Sequence, residues 1–378
     1  MTTETATSAT PSAPEAPGLS VSALVDATPP ERVRTVDFVR VLAITVVVLW
    51  HWVFSETQWH HGRLVMPNFI GSVPGLWLAT WVLQVMPAFF IVGGFSNLAS
   101  WQSVRRSGGG TLEFWRRRTR RLLRPAAIYI AIWAVLDLLL VTIGGAQANV
   151  LHWGMVIFVP LWFLGVYTAV VLLVPLTARL HERYGPAIPL VLVAAMLASG
   201  RGYLTTALVW VFCHQLGCFW RDMIVRGMPR SRERAMGLAL LGTGAGALGL
   251  LTTFEGYQRS MVATSGAGIA NMFPTTVCIA ALAVLQLGLL FIVRPALERS
   301  LSRRRVWGAV VAANGVAMTV FLWHMTAIAA VITVFDHLGG HLLTTATAAW
   351  WAWRPFWLLV PGVALCGLVA VFARVERS

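Results

Sequence analysis

The sequence predicts an all-α, polytopic membrane protein of about ten transmembrane helices with both termini cytoplasmic. The first observation is composition. Of 378 residues, 57% are hydrophobic and only 12% charged, with a mean hydropathy of +0.71. That is more apolar surface than a water-soluble domain can hide, so lipid must be part of the solvent. The second is the recurrence of apolar windows of about 20 residues, enough at 1.5 Å per residue to cross a ~30 Å hydrocarbon core. The third is where the arginines fall. The formal charge of +14 would suit a nucleic-acid binder, but here the charge alternates with apolar runs instead of covering a polar surface. All 29 basic residues are arginine. With no lysine, Schiff-base chemistry and the lysine of a phosphate-binding P-loop are both excluded.

Residues 1–30 are rich in Thr, Ser, Ala and Pro, with neither an apolar stretch nor a basic start. They read as a disordered cytoplasmic tail ahead of a membrane domain at 31–378. Candidate spans follow near 36–56, 75–100, 124–145, 156–178, 186–200, 203–220, 235–254, 273–293, 307–335 and 354–373. The fifth is short and the ninth long, which predicts one helix sunk at an interface and one tilted or broken. With a cytoplasmic N-terminus, every arginine except Arg40, Arg63, Arg201, Arg259 and Arg354 lies on the inner side, and this asymmetry fixes both ends inside. Cys213, Cys218, Cys278 and Cys366 each sit in an apolar run and read as small core residues. No repeat of fixed period is visible.

The first span holds Asp37, Arg40 and His51, and ionisable groups at membrane depth are functional candidates because they are costly to keep there. Ten residues separate Arg40 from His51, which places them about 20° apart around the helix and about 16 Å apart along it. They share a face. Asp37, three residues before Arg40, can pair with it and fix the guanidinium. The alternative is plainer: Arg40 snorkels to the inner headgroups, and His51 joins Trp50 and Trp52 in an aromatic belt.

The arginines of 116–124 also have two readings. Positive segments stay inside whether or not they bind anything, but guanidinium groups also grip phosphate oxygens in bidentate fashion. His324 lies within the ninth span as a second polar wall or a structural histidine. His214, Gln215 and Gln84 read as polar glue between helices, and Asp137 as a buried pairing residue. His60, His61, His337 and His341 fall in outer loops. No carboxylate or cysteine set stands at ligand spacing, so no metal site is expected. Gly108, Gly109 and Gly110 read as a loop.

Five segments in order resemble the acyltransferase-3 family of bacterial integral-membrane acyltransferases. Arg40 and His51 reproduce that family's arginine and histidine on the first helix. MPAFFIVGGFS at 86–96 is similar to its phenylalanine-rich stretch, although many members carry serine where this chain has Gly93, so no role of that serine transfers. RRRTRRLLRP at 116–125 resembles its paired arginines before a proline that starts the third helix. Arg118 with Arg121 is the preferred match, and Arg117 with Arg120 or Arg121 with Arg124 also fit. LWFLGVY at 161–167 and FLWHM at 321–325 match two further signatures.

The resemblance implies transfer of an acyl group, most often acetyl, from acyl-CoA to a hydroxyl of a carbohydrate, glycolipid or small molecule. Acyl-CoA (acetyl-CoA) would be a co-substrate, with no permanently bound cofactor. The expected partners are the lipid bilayer, acyl-CoA and a carbohydrate or glycolipid acceptor, with no nucleic acid, in the plasma (inner) membrane. His51 would be the general base that an unactivated hydroxyl needs near neutral pH. Arg40 would bind a phosphate or orient the thioester. Arg118, Arg121, Arg117 and Arg124 would hold the donor, and His324 and Asp37 would contact substrate. The flexible pantetheine arm would span the distance from Arg40 to His51. The competing reading is a transporter or flippase using Asp37, Arg40 and His51 as a polar pathway, for which no two-half symmetry is visible. A third is a noncatalytic relative that keeps only the scaffold.

Overall fold

A computed structural model of the chain describes residues 20–263 and 270–377. Its helices are α1 (Val21–Asp26), α2 (Arg34–Val53), α3 (Trp77–Leu83), α4 (Met86–Arg106), α5 (Thr111–Gly144), α6 (Val150–Trp153), α7 (Val159–Tyr184), α8 (Ala187–Ser199), α9 (Tyr203–Val225), α10 (Arg230–Thr253), α11 (Val277–Leu301), α12 (Arg304–Asn314), α13 (Ala317–His337), α14 (Ala348–Ala352) and α15 (Arg354–Arg377). A two-stranded antiparallel hairpin, β1 (Gln58–His60) and β2 (Arg63–Val65), follows α2.

Among the described residues, eight helical stretches are long and apolar enough to cross a membrane. Eight of the ten expected windows fall on them. The fifth window is α8, only 13 residues long and closed at both ends by glycines in the left-handed region, Gly185 at φ 49° and Gly200 at φ 65°. The sixth is α9, whose hydropathy is diluted by Thr205, His214, Gln215, Arg221 and Asp222. Burial accounts for that dilution, because Thr205, His214 and Gln215 all face the protein interior. The long ninth window is indeed broken, into α12 and α13, at Gly315.

Two expectations change. The third helix does not start at Pro125: α5 runs 34 residues through that proline, about 50 Å at 1.5 Å per residue. The arginines of 116–124 therefore project from a helix that outruns the hydrocarbon core. Of the four cysteines, Cys366 is exposed on α15 and is not a core residue, whereas the other three are buried. The expected tail at 1–30 falls mainly outside the described residues, but its last part forms α1. Ser20 caps that helix, and Arg304 of α12 ties it down through Asp26 and Ser22, while Trp307 Nε1 donates to Thr28 Oγ1 at 2.9 Å. Arg304 holds the Asp26 carboxyl below its ordinary pKa, so this tie is made above the usual aspartate range and lost as pH falls through the lowered value. Asp26→Asn should release α1 and quicken tryptic cleavage at Arg32; unchanged cleavage would show that the tie is idle.

Close helix crossings build the core around α2, α4, α7, α9 and α11. A Cβ on Gly94 of α4 would lie 1.9 Å from His214 O, and one on Gly217 of α9 would lie 1.8 Å from Ile91 O. Only glycine admits this backbone approach, the small-residue packing that membrane helices use in place of a hydrophobic drive. Gly217→Val is expected to destabilise the protein by more than about 4 kcal/mol, read as loss of the thermal transition in detergent.

Candidate active site

α2 carries both ends of the site. At its arginine-rich end, Asp37 is almost buried and takes three guanidinium contacts: Arg32 Nε at 2.7 Å, Arg32 Nη2 at 3.1 Å and Arg40 Nη1 at 3.1 Å. With its carboxylate so engaged, Asp37 fixes the pose of Arg40. It does not offer a free face to a substrate. The second amino group of Arg40 donates to Ser96 Oγ at 3.0 Å.

The next residue along α4, Asn97, is fully buried and was missed by sequence reasoning. Its Oδ1 accepts from Arg118, and its amide nitrogen donates to Tyr167 Oη at 3.4 Å and His214 Nε2 at 3.2 Å. Ser96 and Asn97 thus anchor two guanidiniums from helices far apart in sequence, and Arg121 lies within electrostatic range of Arg118 as does Arg40. Such clustering of like charge is unfavourable unless an anion neutralises it. The signal for Asn97 was available as a polar residue in an otherwise apolar run. Arg117 is exposed and pairs with Glu113 on its own helix, outside this convergence. Arg124 is half-buried one turn beyond Arg121. Asn97→Leu should leave the fold intact and raise the donor KM about tenfold, because one charge-assisted hydrogen bond holding Arg118 is lost.

Eleven residues further along α2, His51 lines a cavity of about 190 Å³ together with His324 of α13. The carbonyl oxygens around the two rings fix their tautomers. A carbonyl can only accept, so His51 Nδ1–H donates to Val47 O at 2.8 Å and His324 Nδ1–H donates to Phe321 O at 2.7 Å. Both Nε2 atoms are then unprotonated in the neutral rings. His324 Nε2 lies 3.3 Å from His51 Nδ1, with ring centroids 5.2 Å apart, and is a second, longer acceptor for the hydrogen that Val47 O already accepts. This is base-and-orienter geometry: one imidazole with a free basic nitrogen, and an acceptor behind it to favour the imidazolium once it forms.

Aromatic rings fill the space between the two ends. Phe163, in the cavity floor, stacks on Tyr167 one turn along α7 at 5.9 Å, meets Phe321 at 5.4 Å and is flanked by Phe89 at 5.0 Å. Tyr167 in turn reaches Asn97. A Cβ on Gly93 would lie 2.8 Å from the Tyr167 ring, so the glycine at this position makes room for tyrosine. The expected span from Arg40 to His51 is an unbroken helix face, and these rings run beside it from the cavity lining to Asn97.

The remaining polar residues act as struts. Gln215 donates to Thr177 O, Gln84 accepts from Gln286 Nε2 through its backbone oxygen and from Met86 N through Oε1, and Asp137 accepts from Asn149 and the Val150 amide. Among the described residues, no three His, Cys, Asp or Glu side chains gather at ligand distance.

A family model described as an acyltransferase domain (Acyl_transf_3) matches residues 33–374, nearly the whole chain. No curated protein and no solved structure matches it. The matched segment takes in both clusters except Arg32, and an enzyme is what it describes, in place of a transporter. The chain therefore belongs to the acyltransferase-3 family and is a multi-pass membrane acyltransferase.

Proposed function

We propose that the protein is an O-acyltransferase that moves an acyl group, most often acetyl, from acyl-CoA to a hydroxyl of a carbohydrate, glycolipid or small molecule, with His51 as general base. The carrying observation is the His51–His324 pair in a cavity, with His51 on the same helix as Arg40 of the arginine cluster. In the reaction, His51 Nε2 takes the acceptor hydroxyl proton as that oxygen attacks the thioester carbonyl. The C–S bond then breaks, and the proton passes to the departing sulfur, leaving an ester and coenzyme A. His324 is a positioning residue that accepts from the far side of the His51 ring. Arg40, Arg118 and Arg121 suit the phosphates of the donor, with Asp37, Ser96 and Asn97 orienting them. In this reading the arginine-rich end faces the cytoplasm, where acyl-CoA is found, in the plasma membrane. The test uses purified protein and labelled acetyl-CoA. Coenzyme A release and label transfer to a hydroxyl acceptor should both require His51, and a His51→Ala variant with full turnover would remove the proposed base.

A further inference from the structure

We infer that the acceptor presents its hydroxyl from an apolar, membrane-dissolved body, with a group about the size of a six-carbon ring entering the His51 cavity. This rests on the acyltransfer reading above and narrows the acceptor within it.

The lining carries the argument. Apart from the two histidines, the walls are mainly apolar: Val47, Leu83, Met86, Val159, Phe163 and Phe321 are representative. The other polar side-chain groups are two carboxamides, both already partnered, and the indole N–H groups of Trp50 and Trp162 at the mouth. Gln84 Nε2 donates to Met261 O at 3.4 Å, its Oε1 accepts from Met86 N at 3.3 Å, and Asn68 donates to Ala263 O. Among the described residues, no carboxylate or guanidinium is in the lining. A sugar ring placed here would bring several hydroxyls to walls with few groups to pair them, and buried unpaired polar groups are penalised. One hydroxyl on an apolar frame finds the opposite: a single basic nitrogen for the oxygen and apolar contact everywhere else. The size agrees. A dry apolar cavity of about 150 Å³ accepts benzene, and this one is about 190 Å³.

The position of the cavity says where such a molecule comes from. Trp50 is in the last turn of α2 and Trp162 in the first turn of α7, both at the end of the bundle away from the arginine cluster, and both line the cavity. Trp162 is 39% exposed, on the side of a spanning helix. Tryptophans at this height belong to the headgroup layer. Their place at the cavity suits lateral entry, and an amphiphile resting in the bilayer would have its hydroxyl at that depth.

The test compares two acceptor series with the protein in lipid nanodiscs and labelled acetyl-CoA: cyclohexanol and alkyl cyclohexanols against glucose, methyl glucoside and N-acetylglucosamine. Transfer to the cyclohexanols should exceed transfer to the sugars by at least about tenfold in kcat/KM. Equal or better transfer to the sugars overturns this inference and leaves the acyltransferase reading standing. So does a tenfold preference for hexanoyl-CoA over acetyl-CoA with a sugar acceptor, since the cavity would then hold the acyl chain. A binding arm needs no turnover. A diazirine-bearing cyclohexanol should label the peptides around Val47–His51 and Val159–Phe163 saturably, with competition by cyclohexanol and not by glucose, and Leu83→Trp should abolish that labelling. Absence of saturable labelling in the folded wild-type protein overturns the inference. Saturable labelling without His51-dependent coenzyme A release overturns the acyltransfer reading alone.

Discussion

His51→Ala is expected to lower kcat for acyl transfer by about 10²- to 10⁴-fold while leaving the donor KM within a factor of about two, because general-base catalysis is worth that much and the donor contacts lie elsewhere. The split matters as much as the size. In the proposed reaction His51 meets the reacting oxygen, while the arginine cluster lies at the other end of the site, with Phe163 in the cavity lining and Tyr167 stacked on it toward Asn97. His324→Ala should cost less than His51→Ala, since it removes an acceptor from the far side of the ring and leaves the basic nitrogen in place. Stopped-flow or thiol-reporter measurement of coenzyme A release decides both. A His324→Ala loss equal to that of His51→Ala would mean that both rings exchange protons with substrate.

The second large effect concerns donor capture. Arg40→Ala combined with Arg118→Ala should raise the donor KM by about 10²- to 10⁴-fold, the equivalent of two charge-assisted hydrogen bonds, with kcat at saturation changed far less. Lysine at either position should rescue only part of this, because a point charge does not reproduce the planar fork that Ser96 and Asn97 orient. Arg117→Ala serves as the internal control: that side chain pairs with Glu113 outside the cluster, so the donor KM should stay within about twofold. Equal effects from Arg117 and Arg118 would mean that the whole helix acts as a diffuse positive surface and that no built site exists.

Much of this was legible in the sequence, for reasons that can be named. Apolar windows gave the spans because lipid imposes a length on them, and the two that strayed are α8, which is too short to cross, and α9, whose polar residues are buried in protein. The helical repeat alone placed Arg40 and His51 on one face, and the helix between them is unbroken. The Asp37–Arg40 pair was legible for the same reason, as a contact within one turn. Contacts between helices distant in the chain were not. That Arg118 and not Arg117 turns inward is decided by Asn97, a residue 21 positions away on another helix. The approach of His324 to His51 crosses 273 positions, and no periodicity encodes it. The start of the third helix was misplaced because proline is usually read as a boundary. Here Pro125 is buried mid-helix, where tertiary packing outweighs the local preference.

The aromatic floor has a consequence for the membrane itself. In the proposed reaction a thioester would have to pass these rings, and between turnovers their carbon faces would hinder a continuous file of water along which protons could hop down the electrochemical gradient. Tyr167→Ala, by removing one layer beside Phe163, is therefore expected to let liposomes holding the protein lose an imposed pH difference faster than wild-type liposomes do. A voltage across the bilayer would thereby be kept apart from a chemistry that draws on both of its sides.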